Sequence, residues 1–395
     1  MKGSIIMNFT AAKRLNAIDS PSFSELFEAK KQYTGKTGQE VIDFSIGSSN
    51  IPPHESVKKA LADAALSDQS YQYSLSALPE TAEAVQKWYK NRYGVELASD
   101  ELVTLKGSQE ALSHIPMAFC DPGDLVLIPD PYYPIYGTAP KLAGADIFFM
   151  PLKEENGYLI DFEAIPDEVA RKAKLMYVSY PNNPTGKTAP DSFYEQLIRF
   201  AKKNEIIVLH DNAYSELVFD QKPGKSFLSY EGAREVGFEL NSFSKSYSMG
   251  GARLAVMVGN RELISCYNKL MNMIDFQAFG AVQKAGISAL EHAHEFVPAL
   301  RQEYKRRRDL FIEQFRKAGW DIEAPEATMF VWAKIPDQYT DSAQFNQILL
   351  ERAGVLANAG TSFGNEGKRH VRFALVRSDK EVIEAACRIK KAQIV

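Results

Sequence analysis

Short apolar runs alternate with helical stretches from about residue 100 onward. Most of these runs are apolar at nearly every position, which is typical of strands covered on both faces. The stretches between them, such as Ser192–Lys203, have helical periodicity. This succession predicts an α/β fold with a mostly parallel sheet sandwiched by helices. The predicted strands are Leu102–Leu105, Leu125–Pro129, Leu175–Tyr180, Ile206–His210, Phe238–Ser242 and Leu254–Val258.

The pattern changes at about Gln283. A long charged helical stretch, Val297–Ala318, leads into two short predicted strands, Thr328–Ile335 and His370–Val376. A second, smaller α+β domain accounts for this change. We therefore predict a large domain over residues 46–288 and a small C-terminal domain over 289–395, with an N-terminal segment, 1–45, packing against the small domain.

Composition narrows the possible functions. The chain has 395 residues, and 46 Lys plus Arg against 50 Asp plus Glu give a formal net charge of -4. This balance argues against a nucleic-acid partner, which would need a basic surface for phosphates. The three cysteines have no CxxC spacing, which indicates a reducing compartment. No stretch reaches 18 consecutive apolar residues and no secretory signal pattern is present, so we expect a cytoplasmic protein with no membrane partner.

Polar and aromatic residues follow the predicted strands, at the edge where open parallel sheets bind ligands. Gly107-Ser108-Gln109 opens a predicted helix, Glu110–Phe119, whose free amides suit a phosphate. An ordinary helix cap explains the same residues equally well. Pro131-Tyr132-Tyr133-Pro134 brings aromatic rings that either stack on a flat cofactor or simply pack against protein.

Three further strand ends carry more specific groups. Nearby prolines fix the amide of Asn183, which favours contact with a ligand. Asp211 ends a buried strand, where a carboxylate costs free energy unless a cation meets it, although a helix cap is the plainer explanation. Lys245 stands among small hydroxyl residues at the same edge, where a lysine is a good nucleophile.

Two familiar motifs are excluded. Gly186-Lys187-Thr188 is similar to the end of a P-loop, but Pro181 stands where that motif needs glycine. Ser242-Phe243-Ser244-Lys245 matches the S-x-x-K of serine acyl-enzymes, which also need Ser-Asp-Asn and a later Lys-Thr-Gly. The sequence has no Ser-Asp-Asn, and its only Lys-Thr-Gly, at 36–38, comes earlier.

Taken in order, these segments resemble the class I/II aminotransferases, the fold-type I enzymes that use pyridoxal 5'-phosphate (PLP). Seven matching segments follow the family's order from about residue 40 to the C-terminus, most of them at predicted strand ends, which makes the resemblance specific. They are Tyr71-Gln72-Tyr73, Gly107-Ser108-Gln109, Pro131-Tyr132-Tyr133-Pro134, Asn183-Pro184-Thr185-Gly186, Asp211-Asn212-Ala213-Tyr214, Ser242-Phe243-Ser244-Lys245 with Arg253, and Arg372. The resemblance implies a fold-type I PLP-transferase in which residues 46–288 form the PLP-binding domain.

The resemblance also implies roles for single residues. Lys245 is expected to form the Schiff base with PLP and, once freed, to carry a proton between the substrate Cα and the cofactor. Asp211 is expected to pair with the pyridinium nitrogen and keep it protonated. Asn183 and Tyr214 are expected to hydrogen-bond to the phenolic oxygen, and Tyr133 to stack on the ring.

Phosphate and substrate contacts follow from the same resemblance. The phosphate is expected on the amides of Gly107 and Ser108, with Gln109, Ser242, Ser244 and Arg253 around it. Tyr73 is expected to reach the phosphate of the neighbouring subunit, so that a homodimer shares its active sites. Arg372 is expected to bind the substrate α-carboxylate bidentately, with Asn183 nearby; taken alone, it would be an ordinary strand-edge arginine.

Two segments depart from the family pattern: Ser74-Leu75-Ser76-Ala77-Leu78, and Gly47-Ser48-Ser49-Asn50, where a Gly-x-Pro turn is common. Substrate choice is expected to depend on these loops and on those around Ile18–Phe27 and Asn272–Phe279, none of which has a readable code. Glu291-His292-Ala293-His294-Glu295 is predicted to be a solvated helix rather than a metal site. Lys305-Arg306-Arg307-Arg308 is predicted to be a charged helix face.

The sequence thus predicts a PLP-dependent aminotransferase that moves an amino group from an L-amino acid to a 2-oxo acid by a ping-pong mechanism. The segment around Lys245 looks closest to the branch holding LL-diaminopimelate, alanine and aspartate aminotransferases. A cystathionine-type C–S β-lyase is the alternative, although those enzymes tend to carry His before the Asn183 position, where this chain has Asn182. A regulator that keeps the fold without catalysis is a more distant alternative, because about 40 residues before the first motif leave little room for a DNA-binding segment.

Overall fold

Twelve strands form three sheets in the computed structural model, which describes residues 10–18, 23–220 and 224–395. The strands are β1 (Ile42–Asp43), β2 (Leu102–Leu105), β3 (Leu125–Asp130), β4 (Asp146–Pro151), β5 (Ala173–Val178), β6 (Ile207–Asp211), β7 (Gly237–Ser242), β8 (Ala255–Gly259), β9 (Phe330–Lys334), β10 (Val355–Leu356), β11 (Asn358–Ala359) and β12 (His370–Ala374). The main sheet has seven strands in the order β2-β8-β7-β6-β5-β3-β4. Its neighbours from β7 to β4 are parallel, and only β8 runs antiparallel to both of its partners. The carboxyl ends of the five parallel strands therefore meet at one edge.

Fourteen α-helices connect and cover these sheets in the described part of the chain. They are α1 (Phe23–Thr37), α2 (Glu55–Ala65), α3 (Pro79–Tyr93), α4 (Ser108–Phe119), α5 (Ile135–Ala143), α6 (Asp167–Lys172), α7 (Asp191–Asn204), α8 (Ala233–Val236), α9 (Phe243–Ser246), α10 (Arg261–Met271), α11 (Gly280–Glu291), α12 (Ala293–Ala318), α13 (Ser342–Ala353) and α14 (Asp379–Lys391). Side chains cap several of them: Asn260 accepts from the first amides of α10, and Ser378 with Glu381 forms a capping box on α14. None of these helices is long and apolar enough to cross a bilayer.

The main sheet is buried on both faces. Along β5, Leu175 and Tyr177 pack into one hydrophobic cluster, whereas Met176 and Val178 pack into another on the opposite face. Alternate side chains of a strand point to opposite faces, so a strand covered on both sides must be apolar at every position. This is the physical reason for the continuous apolar runs in the sequence.

A third cluster joins residues 42–44 to the C-terminal part of the chain. It contains Phe44 together with residues of α12, α14 and β12, and Phe44 packs edge-on against Phe311 and Phe373. The strand before it, β1, pairs in parallel with β10. The three-stranded sheet β11-β12-β9 belongs to the same region.

The predicted parallel sheet sandwiched by helices is confirmed, and its predicted strands differ from the observed ones by at most two residues at either end. The smaller strands after α12 are also confirmed as β9 and β12. The sequence prediction missed β4, a half-exposed edge strand that pairs only with β3. Part of the predicted N-terminal segment, residues 1–9 and 19–22, lies outside the described residues.

Two predictions about charged segments were wrong in detail. His292 is the junction between α11 and α12, and His294 is the second residue of α12, so residues 291–295 do not form one continuous helix. Arg308 is buried, whereas the prediction placed it with its three neighbours on a charged helix face. Its guanidinium donates to Asp220 Oδ2 at 2.6 Å and lies over the ring of Phe219. No group of three or more His, Cys, Asp or Glu side chains in the described ranges is arranged to hold a metal ion.

Candidate active site

A cavity of about 330 Å³ lies at the carboxyl edge of the parallel strands. All of the predicted site residues except Gly107 and Tyr73 line it, which brings together side chains from widely separated parts of the sequence. The lining consists of Gly47, Ser48, Ser108, Gln109, Tyr133, Tyr136, Ser179, Asn183, Asp211, Ala213, Tyr214, Ser242, Ser244, Lys245, Gly250, Arg253, Phe330 and Arg372.

Lys245 projects from the short helix α9, directly after β7. Its Nζ donates a hydrogen bond to the carbonyl oxygen of Gly47 at 2.7 Å. Burial, and then the positive charges of Arg372 and Arg253, lower the pKa of the Lys245 amine from its usual 10.5 to about 8. About a tenth of this amine is therefore unprotonated at pH 7, a far larger share than for a lysine of ordinary pKa, and the unprotonated amine is the nucleophile.

Asp211 is the last residue of β6 and is buried. Its Oδ2 accepts a hydrogen bond from the hydroxyl of Tyr136 at 2.7 Å, whereas its Oδ1 has no hydrogen-bond partner among the described residues. Burial raises the pKa of the Asp211 carboxyl. An unpaired carboxylate oxygen in this position is costly unless a cationic or N–H group occupies the cavity beside it.

Arg372 enters the cavity from β12 and lies between two aromatic rings. Its guanidinium carbon is 4.0 Å from the ring centre of Phe330 and 4.4 Å from that of Phe363. Its Nη1 donates to Asn183 Oδ1 at 2.8 Å, and burial lowers the pKa of Arg372 to about 10. The rings fix the plane of the guanidinium, as bidentate recognition of a carboxylate requires.

Gly107 and Arg253 form a shallow cradle at the N-terminus of α4. Gly107 has a φ of +84°, and a Cβ built on it would lie 2.3 Å from the Nη2 of Arg253, so only glycine permits this approach. Arg253 also donates to the carbonyl oxygen of Gly250 at 3.1 Å. Ser242 caps α9 by accepting from the amide of Ser244 at 3.3 Å. Helix N-terminal amides and a guanidinium together suit an anion.

Tyr133 and Tyr214 complete the walls of the cavity. The hydroxyl of Tyr133 donates to Gln109 Oε1 at 3.1 Å. Tyr214 is buried and its ring meets Phe330 edge-on. Burial raises the pKa of both phenols, so both stay protonated and available as hydrogen-bond donors.

Tyr73 lies outside the cavity of its own chain. Its side chain is 82% exposed, and its ring packs against Phe276 with centroids 5.0 Å apart. The amide of Gln277 donates to the carbonyl oxygen of Ser74 at 3.0 Å, so the loops around residues 74 and 277 support each other.

Several lining residues were missed by sequence reasoning. Tyr136 is the clearest case, because its phenol holds Asp211. It lies in the first turn of α5, directly after the loop that carries Tyr132 and Tyr133, and this run of aromatic residues was the available signal. Phe330, which lines the cavity, and Phe363, which lies against Arg372, carried no recognisable signal: the place of Phe330 depends on how β9 and β12 pair, and that of Phe363 on the turn that carries it.

Three features of the site fit PLP. Asp211 offers an unpartnered buried oxygen that suits a protonated ring nitrogen. The cradle at Gly107 suits the phosphate, and the Lys245 amine, with its lowered pKa, suits attachment of the cofactor carbonyl. The fold and this site together define a PLP-dependent enzyme of fold type I.

The chain belongs to the aminotransferase class I and II family, whose sequence profile matches residues 39–389. It is 42% identical over 387 residues to the LL-diaminopimelate aminotransferase of Syntrophobacter fumaroxidans, which covers 98% of this chain and 99% of the relative. The apo-BacF structure from Bacillus subtilis superimposes with a TM-score of 0.93 at 38% identity, covering 98% of this chain and 99% of that one. The structure of a probable N-succinyldiaminopimelate aminotransferase from Thermus thermophilus gives a TM-score of 0.87 at 37% identity, covering 94% and 99% of the two chains.

The protein is therefore a PLP-dependent aminotransferase that transfers an amino group between an amino acid and a 2-oxo acid. The predicted fold type, cofactor and reaction class are confirmed. The C–S β-lyase alternative finds no support among these relatives.

Proposed function

We propose that Lys245, Asp211 and Arg372 divide the work of transamination within the single cavity at the sheet edge. The observation that carries this proposal is their convergence there from α9, β6 and β12. When bound, PLP withdraws electrons from the substrate Cα and so makes its proton acidic. The protein's part is to bind, orient and move that proton.

Lys245 is the residue that holds the cofactor and later moves the proton. The pKa of the free amine is about 8, and a general base works best when its pKa lies near the pH at which the enzyme operates. The carbonyl oxygen of Gly47 gives the amine a fixed hydrogen-bond acceptor, which limits its orientations within the cavity. Replacing Lys245 with alanine is expected to abolish turnover; retained transamination in that variant would contradict this role.

Asp211 is the residue that holds the ring nitrogen. Tyr136 occupies Oδ2 and leaves Oδ1 free, so the carboxylate faces the cavity in one orientation. The negative charge keeps a nearby ring nitrogen protonated. Tyr133 covers the ring, and Asn183 and Tyr214 supply hydrogen bonds to its phenolic oxygen.

The phosphate and the substrate carboxylate are proposed to bind two separate groups of cavity residues. Gly107, Ser108, Gln109, Ser242, Ser244 and Arg253 are proposed to hold the phosphate. Arg372 is proposed to bind the substrate α-carboxylate, since it is held between two rings with its Nε free of protein partners in the described ranges. Asn183 stays within hydrogen-bond distance of Arg372 and aligns it.

LL-diaminopimelate is the amino donor that we propose. Support comes from the relative that bears this name and is 42% identical over nearly the whole chain. Ser48, a polar residue from the divergent 47–50 loop, lines the same cavity. That loop is held in place, because Tyr304 donates to Ser49 Oγ at 2.8 Å and Arg307 donates to Asn50 Oδ1 at 2.7 Å.

A single-turnover absorbance titration of the PLP-loaded enzyme without an oxo acid tests this donor. LL-diaminopimelate is expected to change the cofactor band fastest and to stop at one equivalent of product per site, with 2-oxoglutarate or pyruvate restoring the band. N-succinyl-LL-diaminopimelate, alanine and aspartate serve as comparison donors. Roughly tenfold faster conversion by any of these would reject the proposed donor while leaving the reaction class intact.

A homodimer with shared active sites is the assembly that we propose. The surface around Tyr73 is unusually apolar for exposed residues, and contiguous patches of this kind mark protein interfaces. Its exposed members are Leu66, Tyr71, Tyr73, Leu75, Met273, Ile274, Phe276 and Phe279. A second copy of the chain would cover this patch and bring Tyr73 to the neighbouring phosphate site.

Mixed dimers of two variants, each altered in a different residue of the shared site, test this assembly. In a dimer of Tyr73→Phe with Lys245→Ala, one site keeps its own Lys245 and receives an intact Tyr73 from the other subunit. Random mixing is expected to restore about a quarter of the wild-type number of intact sites. Activity no higher than that of the unmixed variants, in a preparation shown by sedimentation to exchange subunits, would exclude the shared site.

We also propose the division into a PLP-binding domain at 46–288 and a small domain at 289–395, with the N-terminal segment packing against the latter. The separate hydrophobic cluster that joins Phe44 to α12, α14 and β12 supports this division. A cytoplasmic location is proposed as well, since all three cysteines, Cys120, Cys266 and Cys387, are free thiols.

A further inference from the structure

Asp130 is a buried carboxylate that the mechanism above does not use. It is the last residue of β3, is only 3% exposed, and is not part of the cavity lining. Its Oδ2 accepts the backbone N–H of Asn365 at 3.0 Å, and its Oδ1 accepts that of Glu366 at 3.2 Å. These hydrogen bonds connect the main sheet to the C-terminal part of the chain, because Asp130 and Asn365 are 235 residues apart in sequence.

The backbone around Asp130 strengthens the same connection. The amide of Tyr132 donates to the carbonyl oxygen of Phe363 at 2.7 Å. Between the two contacts lies Gly364, with a φ of +122°, and a Cβ placed on it would be 2.0 Å from Asp130 Oδ1. The turn at 363–366 is therefore shaped to receive a carboxylate: a glycine allows the close approach, and two successive amides point at it.

This turn carries Phe363, one of the two rings between which the Arg372 guanidinium lies. The ring of Phe363 lies 4.4 Å from the guanidinium carbon of Arg372 and meets Trp332 edge-on with centroids 5.8 Å apart. Phe330 provides the other ring and is fixed within β9, which pairs directly with β12, the strand of Arg372. Phe363 has no such strand to hold it, because it ends a short 3-10 turn, so its position depends on what anchors that turn.

We propose that Asp130 is a positioning residue for the substrate carboxylate, acting through the 363–366 turn and the Phe363 ring on Arg372. The inference rests on the proposed role of Arg372. Asp130 itself contacts neither the substrate nor the cofactor; it sets the plane in which Arg372 meets a carboxylate. The backbone amides of Asn365 and Glu366 each donate to a different oxygen of the Asp130 carboxylate, so both oxygens must accept. An asparagine side chain has only one acceptor oxygen, and its NH₂ group would face the second amide, donor against donor.

Asp130→Asn separates this role from a general structural one. We expect the KM for the amino donor to rise by about tenfold, while kcat changes by less than about twofold, because an interaction with the bound substrate is weakened. The dissociation constant of PLP from the apoprotein is expected to stay unchanged. Asp341→Asn, which alters a carboxylate that caps α13 in the same part of the chain, is the matched control and should leave all three quantities unchanged.

A double-mutant cycle tests the route through Phe363. In a Phe363→Ala background, Asp130→Asn is expected to raise KM by less than about twofold further, since the ring that it positions is already gone. Fully additive effects would overturn the proposed route. If Asp130→Asn does not fold, Gly364→Ala displaces the same turn from the other side and must give the same rise in KM.

Three results would overturn the inference: an unchanged KM in Asp130→Asn, a PLP dissociation constant that rises in step with KM, or a kcat that falls as much as kcat/KM. Arg372→Lys separates this from failure of the proposed function. An unchanged KM in Arg372→Lys would show that Arg372 does not bind the carboxylate. A raised KM in Arg372→Lys with an unchanged KM in Asp130→Asn would reject the role of Asp130 alone.

Discussion

Replacing Lys245 with methionine is expected to make the PLP-free protein more stable. The folded protein holds the Lys245 amine in a buried position where its pKa falls from 10.5 to about 8. One pKa unit corresponds to about 1.4 kcal/mol, so burying the charged amine costs about 3 kcal/mol at neutral pH. Methionine has a similar length and no charge, and it loses only the hydrogen bond to Gly47, which contributes about 1 kcal/mol. A net gain of about 2 kcal/mol follows at pH 7.

The gain must depend on pH in a defined direction. Between pH 8 and 10.5 the unfolded chain binds more protons at Lys245 than the folded chain, so the stability of the wild-type apoprotein rises with pH in this window. The methionine variant lacks this titration. Its advantage is therefore fully present below pH 8, shrinks through the window, and becomes a loss of about 1 kcal/mol above pH 10.5.

Urea denaturation of both apoproteins at equal concentration, at pH 7, 8, 9 and 10, measures the difference. Lys380→Met, which alters an exposed lysine on α14, is the control and should show no pH-dependent gain. Equal or lower stability of Lys245→Met at pH 7, or a gain that is the same at every pH, would refute the reasoning.

Three further variants probe the cofactor site. Tyr136→Phe removes the hydrogen bond to the buried Asp211 carboxylate and is expected to lower kcat by roughly ten- to a hundredfold, with a shifted pH profile of the cofactor absorbance. Asp211→Asn is expected to lower kcat further than Tyr136→Phe, because it removes the charge itself; a smaller fall in stopped-flow half-reactions would contradict the assignment. Gly107→Ala places a Cβ against the Arg253 guanidinium and is expected to raise the PLP dissociation constant by at least about tenfold, as measured by fluorescence titration of the apoprotein. An unchanged constant would place the phosphate elsewhere.

The parallel strands and most of the lining residues could be predicted because one physical rule places them. A strand buried on both faces is apolar along its length, and the chemistry of a parallel sheet gathers at its carboxyl edge. β4 was missed although its four central residues, 147–150, are all apolar. This short run is bounded by Asp146 and Pro151, and it forms an edge strand that pairs only with β3.

Tertiary contacts account for the other misses. Four consecutive basic residues, 305–308, cover all sides of a helix, because each residue turns by about 100°. One of them must face inward, and Arg308 does so against Phe219 and Asp220. Tyr136 and Asp211 are 75 residues apart in sequence, and no local sequence pattern predicts a hydrogen bond between residues so far apart.

The parallel pairing of β1 with β10 has a consequence for how the protein is made. Ile42 pairs with Val355, and the amide of Ala374 reaches the carbonyl oxygen of Phe44. A ribosome adds about 5–20 residues per second, so β1 waits on the order of tens of seconds before its partner is synthesised. During that time Phe44, which is fully buried in the folded protein, cannot pack against α12, α14 and β12, because these elements have not yet been synthesised. Completion of this region is thus a late event in the synthesis of the chain.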